Sequence, residues 1–176
     1  MKFTHLHLHT EYSLLDGSGK IKEMVARAKE LGMDSIAITD HGVMYGVIDF
    51  YKACVKEGIK PILGCEVYTA PRTCKDKDPR QDAEQGHLIL LAKDNKGYRN
   101  LMRLVSMGFI EGFYYKPRID YTLLEQYHEG LIALSACLGG DIPQKLLNGE
   151  YENAKALALR LNRIMGDGNF YLELQY

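Results

Sequence analysis

Six short apolar runs, separated by stretches of helical spacing, constrain the fold of this chain more than any other feature. The runs cover residues 3–9, 35–39, 61–68, 87–92, 131–136 and 170–174. Between the first two, Ile21, Met24, Val25, Ala28 and Leu31 recur at helical intervals, and Gly32 follows as a closing glycine should. Further helical patterns cover residues 47–56, ending at Gly58, then 96–107, 142–147 and 152–165. Residues 71–86 are polar and lack apolar periodicity, which predicts a long loop. Residues 112–120, aromatic and basic around Pro117, predict another. Apolar strands alternating with helices predict an α/β fold on a parallel sheet, open or closed into a barrel. The barrel is preferred because polar residues gather at strand ends, where barrel enzymes carry their chemistry.

A length of 176 residues suits one domain, 1–176, with a core of its own. No internal repeat, low-complexity tract or Pro/Gly linker points to a second. The sequence stops two residues after its last apolar run, where a closed barrel needs at least one more strand. The expectation is therefore a fragment, truncated before the last strand. The net charge of −1 argues against gripping nucleic acid through a broad basic surface. Cys54, Cys65, Cys74 and Cys137 lack C-x-x-C spacing and read as reduced thiols. With no signal-peptide pattern and no apolar run long enough to cross a bilayer, a soluble cytoplasmic protein is expected.

The chemistry concentrates in a few residues. Three of six histidines, His5, His7 and His9, fall within five residues on an alternating segment. In a strand they would share one face, with Leu6 and Leu8 on the other. Imidazoles so grouped are costly as core and natural as metal ligands. His5, at the start of the run, is expected to stay outside the metal set. Asp16, in a turn before Gly17, could swing back toward the same metal. Asp40 and His41 follow a strand directly, with His41 the ligand and Asp40 orienting it. Glu66 could bridge two metals, and Cys137 offers a thiolate that favours zinc. Metals a few ångströms apart suit phosphoester hydrolysis. His87 precedes its strand, so its position along the chain does not place it with the others. Cys54 and Cys65 read as core, Cys74 as a loop thiol and His128 as a surface residue. No phosphate loop, nucleophile elbow or dinucleotide fingerprint is present; Gly17-Ser18-Gly19-Lys20 reads as a turn leading into a helix. The loop Phe113-Tyr114-Tyr115-Lys116-Pro117-Arg118 either contacts nucleic acid, through Lys116 and Arg118, or packs over the sheet edge.

These residues carry a resemblance. The segment from Phe3 to Gly17, Ala37-Ile38-Thr39-Asp40-His41-Gly42, and the run from Lys60 to Tyr68 resemble the PHP (polymerase and histidinol phosphatase) domain. More narrowly, the opening segment looks like the form that begins bacterial replicative polymerase α subunits, and Gly97-Tyr98-Arg99-Asn100-Leu101 and Ser135-Ala136-Cys137-Leu138-Gly139-Gly140 follow in family order. The resemblance covers essentially the whole chain. It implies a distorted (β/α)7 barrel holding up to three divalent metals, usually zinc, manganese or iron. It implies the ligand set His7, His9, Asp16, His41, Glu66, His87 and Cys137, with Asp16, His41 and Glu66 serving catalysis. The family's closing Asp-x-His motif is absent from these residues. The implied parent activity is template-directed DNA synthesis. Two roles are implied for the domain itself. One is a 3′–5′ proofreading exonuclease; the other is an inactive module that stabilises the polymerase and docks an exonuclease subunit. A stand-alone histidinol-phosphatase-like enzyme fits the blocks least. Implied partners are DNA and other replicase subunits, the sliding clamp among them.

Overall fold

The computed structural model describes residues 3–14 and 16–175. Helix α1 (Ile21–Glu30), strand β1 (Ser35–Ile38), helix α2 (Val47–Glu57) and strand β2 (Lys60–Thr69) come first. After a long loop come β3 (Gly86–Ala92), α3 (Asn95–Ile110), β4 (Phe113–Tyr114), β5 (Lys116–Ile119) and α4 (Tyr121–Tyr127). Strand β6 (Leu131–Leu134), helices α5 (Asp141–Leu147) and α6 (Tyr151–Met165), and strand β7 (Phe170–Tyr171) complete the order. Both early helices run out at glycines in the left-handed region, Gly32 (φ +74°) and Gly58 (φ +73°), where side chains are disfavoured. Asp94 caps α3 by accepting from the Gly97 N–H, and Asp120 caps α4 by accepting from the Leu123 N–H.

The α/β class stands, but the sheet is mixed. Strands β1 and β5 run parallel to β2, while β3 pairs antiparallel to both β2 and β6, and β7 parallels β6. Five strands therefore run one way; β3 and the two-residue β4 oppose them. No helix separates β2 from β3, and a loop connection permits an antiparallel pair where a helical crossover gives a parallel one. Strand β2 pairs with β1 through residues 60–63 and with β3 from Gly64 onward. A Cβ at Gly64 would sit 2.7 Å from both Leu90 O and Leu91 Cδ2, so only glycine allows this change of partner.

Alternation in β2 and β3 sorts residues between two faces. Cys65, Val67, Leu88 and Leu90 pack into the larger core with α3, α4 and α6. Ile89 and Leu91 pack with Ala37, Leu134 and Ala136 on the other face. Glu66 is the register partner of Ile89, and Tyr68 of His87, so all three polar residues share that second face. A third cluster, around Phe50 and Cys54, joins α1 and α2 to β1. Cys54 and Cys65 are core, as expected, and Cys74 is also buried, at 2% exposed.

Two expectations need correction. Residues 3–9 form no regular strand. They run beside β1 through Ala37 N–H to His5 O and Thr39 N–H to Leu8 O, both 2.9 Å. A regular parallel pair would use residue 7 for the second bond, so one extra residue is taken up between them. His5 accordingly leaves the face of His7 and His9; it lines a separate cleft with Leu8 and Met24. Residues 112–120 are not a plain loop: β4 and β5 form a hairpin there. No described helix is long and apolar enough to cross a membrane.

Candidate metal centre

Glu66 is wholly buried in β2 and has imidazoles on several sides. Its Oε2 lies 2.8 Å from His7 Nε2, 3.0 Å from His9 Nε2 and 3.4 Å from His41 Nδ1. Its Oε1 lies 2.6 Å from His87 Nδ1 and 3.7 Å from Cys137 Sγ. Each of the first three rings is anchored by its other nitrogen. His7 Nδ1 meets Glu173 Oε1 at 2.8 Å, and His41 Nε2 meets Asp16 Oδ2 at 2.8 Å. His9 Nδ1 meets Ser13 Oγ at 3.3 Å, and that hydroxyl gives its one proton to Asp40 Oδ1 at 2.7 Å. Toward His9 the hydroxyl can only accept, so His9 Nδ1 is the donor.

The consequence is electrostatic. Rings whose outer N–H groups point at Glu173, Ser13 and Asp16 turn bare inner nitrogens toward Glu66 Oε2, acceptor facing acceptor. His41 Nδ1 is buried and has no hydrogen bond in the structure. A buried nitrogen left so costs about 1–3 kcal/mol. A divalent cation among these atoms would relieve the conflict. Two sets have ligand atoms mutually within 4.8 Å: His7, His9 and Glu66, and His41, Glu66 and His87. Imidazole, carboxylate and thiol donors suit zinc and its neighbours. Without a cation, protons take that place. Burial alone would lower the His7 pKa, but the Glu173 and Glu66 carboxylates outweigh it and push it up to about 10. His87 rises to about 9, where Cys137 and Glu66 likewise outweigh burial. Burial opposes ionisation of Glu66, yet hydrogen bonds from His7, His87 and His9 hold its carboxyl far below the usual range. The hydrogen bond with His87 lowers the Cys137 thiol pKa. Cation uptake here therefore releases protons.

Strand direction brings His87 into the cluster. Because β3 runs against β2, its first residues lie at the end where β1 and β6 finish. The isolated bridges His41–Glu66 and His87–Gly140 tie these strand ends together. Cys137 follows β6 after Ala136, which takes a left-handed φ of 63°, a strained backbone of the kind found at functional sites. Asp16 is exposed and reaches the cluster through His41.

Asp40 acts differently from the expectation. Its buried carboxylate accepts from Thr10 N–H (2.6 Å), Thr10 Oγ1 (2.7 Å) and Ser13 Oγ. It anchors the turn carrying His9, and Ser13 Oγ in turn accepts from the His41 backbone N–H at 3.1 Å. Asp40 thus holds the cluster through Ser13 and not by gripping the His41 ring. No motif in the sequence marks Glu173. It lies just past β7, its N–H donates to Ser135 Oγ at 2.8 Å, and it fixes the His7 tautomer as carboxylates beside metal-binding histidines do. Arg118 is wholly buried. Its guanidinium serves backbone carbonyls, so it is no nucleic-acid contact; Lys116 is exposed.

A family model described as "PHP domain" matches residues 5–176. The DNA polymerase III subunit alpha of Borreliella burgdorferi is 50% identical over 176 residues, which is 99% of this chain and 15% of that protein. That of Treponema pallidum is 48% identical over 176 residues, again 99% of this chain and 15% of that protein. The chain thus spans about 15% of the length of these curated relatives. A crystal structure from Bacteroides vulgatus, titled a two-domain protein containing a predicted PHP-like metal-dependent phosphoesterase, is 17% identical. It aligns over 89% of this chain and 40% of that one with a TM-score of 0.49.

Proposed function

The chain belongs to the PHP domain family, and from that premise we propose that it is the metal-binding opening domain of a bacterial DNA polymerase III α subunit. In this reading it hydrolyses the phosphodiester at a DNA 3′ end. The observation that carries the proposal is the inward turn of three imidazole nitrogens onto the single Oε2 of buried Glu66. His7, His9 and Glu66 would hold one cation, and His41, Glu66 and His87, with Cys137 beside them, a second; the thiol favours zinc over manganese or iron. Such cations supply Lewis acidity toward a phosphate oxygen and acidify a water. Glu173 and Ser13 orient His7 and His9. Asp16, with a side chain 57% exposed, is the carboxylate that substrate and solvent reach; its Oδ2 accepts from His41 Nε2, which leaves the carboxylate's other oxygen to take a proton on the open side. Template-directed synthesis belongs to the remainder of the parent polymerase, a cytoplasmic enzyme whose partners are DNA and other replicase subunits.

A second reading, a metal-stabilised scaffold that docks a separate exonuclease subunit, is favoured by one observation. The cluster ties His7, His9 and Asp16 to His41 beyond the end of β1, to β2, β3, the turn after β6 and Glu173, so cations would cross-link much of the fold. The two readings part on Asp16→Asn. Hydrolysis of a 3′-ended oligonucleotide in zinc or manganese is expected to fall at least about 100-fold, the usual size of a lost general base. The zinc-dependent rise in Tm should be reduced only in part, because Asp16 holds one ligand ring, His41, and the set His7, His9 and Glu66 does not depend on it. Metal-raised Tm without turnover in the unaltered chain would favour the scaffold.

A further inference from the structure

The open side of the metal centre continues into a cleft of about 640 Å3, floored by Asp16, His41 and His87. We propose that this cleft seats unpaired nucleotides of single-stranded DNA, with Tyr45 and Tyr115 as stacking faces and Lys116 as the phosphate contact. This rests on the phosphodiesterase reading and names its substrate class.

Aromatic rings are concentrated here. Of eight large aromatic residues exposed among the described residues, Tyr45, Phe109, Phe113 and Tyr115 line this one cleft. They come from separate elements: the loop after β1, the end of α3 and the β4–β5 hairpin. Tyr45 is 67% exposed and Tyr115 68%, so neither ring serves the core. Tyr115 holds its place at the hairpin tip in the left-handed region, with φ 59°. That backbone is disfavoured for a bulky residue, and outliers of this kind cluster at active sites and ligand clamps.

The hairpin is fixed against the metal centre. Gly42, beside His41, has φ +64°, and a Cβ there would lie 2.9 Å from Pro117 Cγ and from Tyr68 Cε2. Lys116 Nζ stands 5.4 Å from the Tyr68 ring centroid, and that ring neighbours His41 and His87. A cationic side chain is thus held on the cleft wall beside the proposed reaction centre, suited to a phosphate leading toward it.

The occupant follows from these chemistries. Bases offer their faces to aromatic side chains only when unpaired, and stacking on such rings tolerates any sequence. A net charge of −1 gives no broad basic stripe for a duplex backbone. The volume lies within the range of about 300–1,000 Å3 typical of small-ligand pockets.

The test is fluorescence anisotropy of a 5′-labelled oligothymidylate whose 3′ linkage is a phosphorothioate, so that binding is read without turnover. Saturable binding is expected, with blunt duplex competing at least about 10-fold less well. Tyr115→Ala should weaken binding about 10-fold, while Tyr115→Phe keeps it. Lys116→Gln should reduce the slope of log affinity against log salt by about 0.7. Both side chains are exposed, and an unchanged Tm confirms that each variant folds. Equal competition by duplex, wild-type affinity in Tyr115→Ala, or no binding by the unaltered chain would overturn the proposal. Hydrolysis measured separately tells its failure from failure of the phosphodiesterase reading, because turnover can persist when Tyr115 proves irrelevant.

Discussion

Glu66→Gln is expected to lose at least about 100-fold in zinc affinity and most of the zinc-dependent rise in Tm. The substitution keeps size and shape but removes the charge, and it places an amide –NH2 where an anionic oxygen stood. Oε2 faces His7, His9 and His41, Oε1 faces His87, and both candidate sets include Glu66, so one change damages both. Altering only the residues that orient metal ligands costs about 10–100-fold; a shared bridging ligand should cost at least the upper value. Zinc at 100 times its Kd stabilises a folded chain by about 2.7 kcal/mol, and at its Kd by about 0.4 kcal/mol. For a domain of this size the lost difference is about 5–9 °C in Tm. Thermal melts with and without zinc read this directly. An equal zinc response in the variant would remove Glu66 from the centre.

Arg118→Ala should have the largest effect on stability, a loss of about 3–5 kcal/mol from a buried cavity and stranded acceptors. Its guanidinium donates to Gly112 O (3.2 Å), Asp82 O (3.0 Å), Cys74 O (3.2 Å) and Asp76 O (2.8 Å). These carbonyls hold the loop between β2 and β3 against the hairpin, and the Tyr114 ring lies 5.1 Å from the guanidinium carbon. Removing the side chain strands those acceptors in the interior. Native domains have about 5–15 kcal/mol in total, so the variant sits near the edge of folding. Arg118→Lys should rescue little, because a point ammonium cannot span the fork. Urea unfolding measures both; a loss under about 1 kcal/mol, or full rescue by lysine, would refute this role.

The contrast between Arg118 and Lys116 shows where a sequence stops being informative. Two residues apart in a strand, they read as neighbours on one face, both available to nucleic acid. The fold separates them along the strand: Arg118 pairs with Tyr68 of β2, deep in the sheet, while Lys116 pairs with Tyr114 at the hairpin end. His87 teaches the same lesson for the site. Its local pattern shows a strand beginning, but only the antiparallel direction of β3 tells that this beginning faces Glu66, and pairing direction is not encoded locally. The extra residue between His5 and Leu8 breaks an alternation that looks regular in sequence. Helix α4 buries only the adjacent pair Leu123 and Leu124, which shows no helical interval, although Asp120 is a legible cap. Glu173 sits inside the last run, residues 170–174, without a motif to mark it. What was legible had strong local causes: the glycines ending α1 and α2, the apolar alternation of β2 and β3, and the H-x-H pair.

The most direct measurement is metal content by plasma mass spectrometry, on the chain loaded with zinc and then desalted. A centre in which His7, His9, His41 and His87 turn toward both oxygens of Glu66 predicts at least two ions retained per chain. Retention of none would contradict it, leaving the histidines as a proton-bridged cluster around one carboxylate.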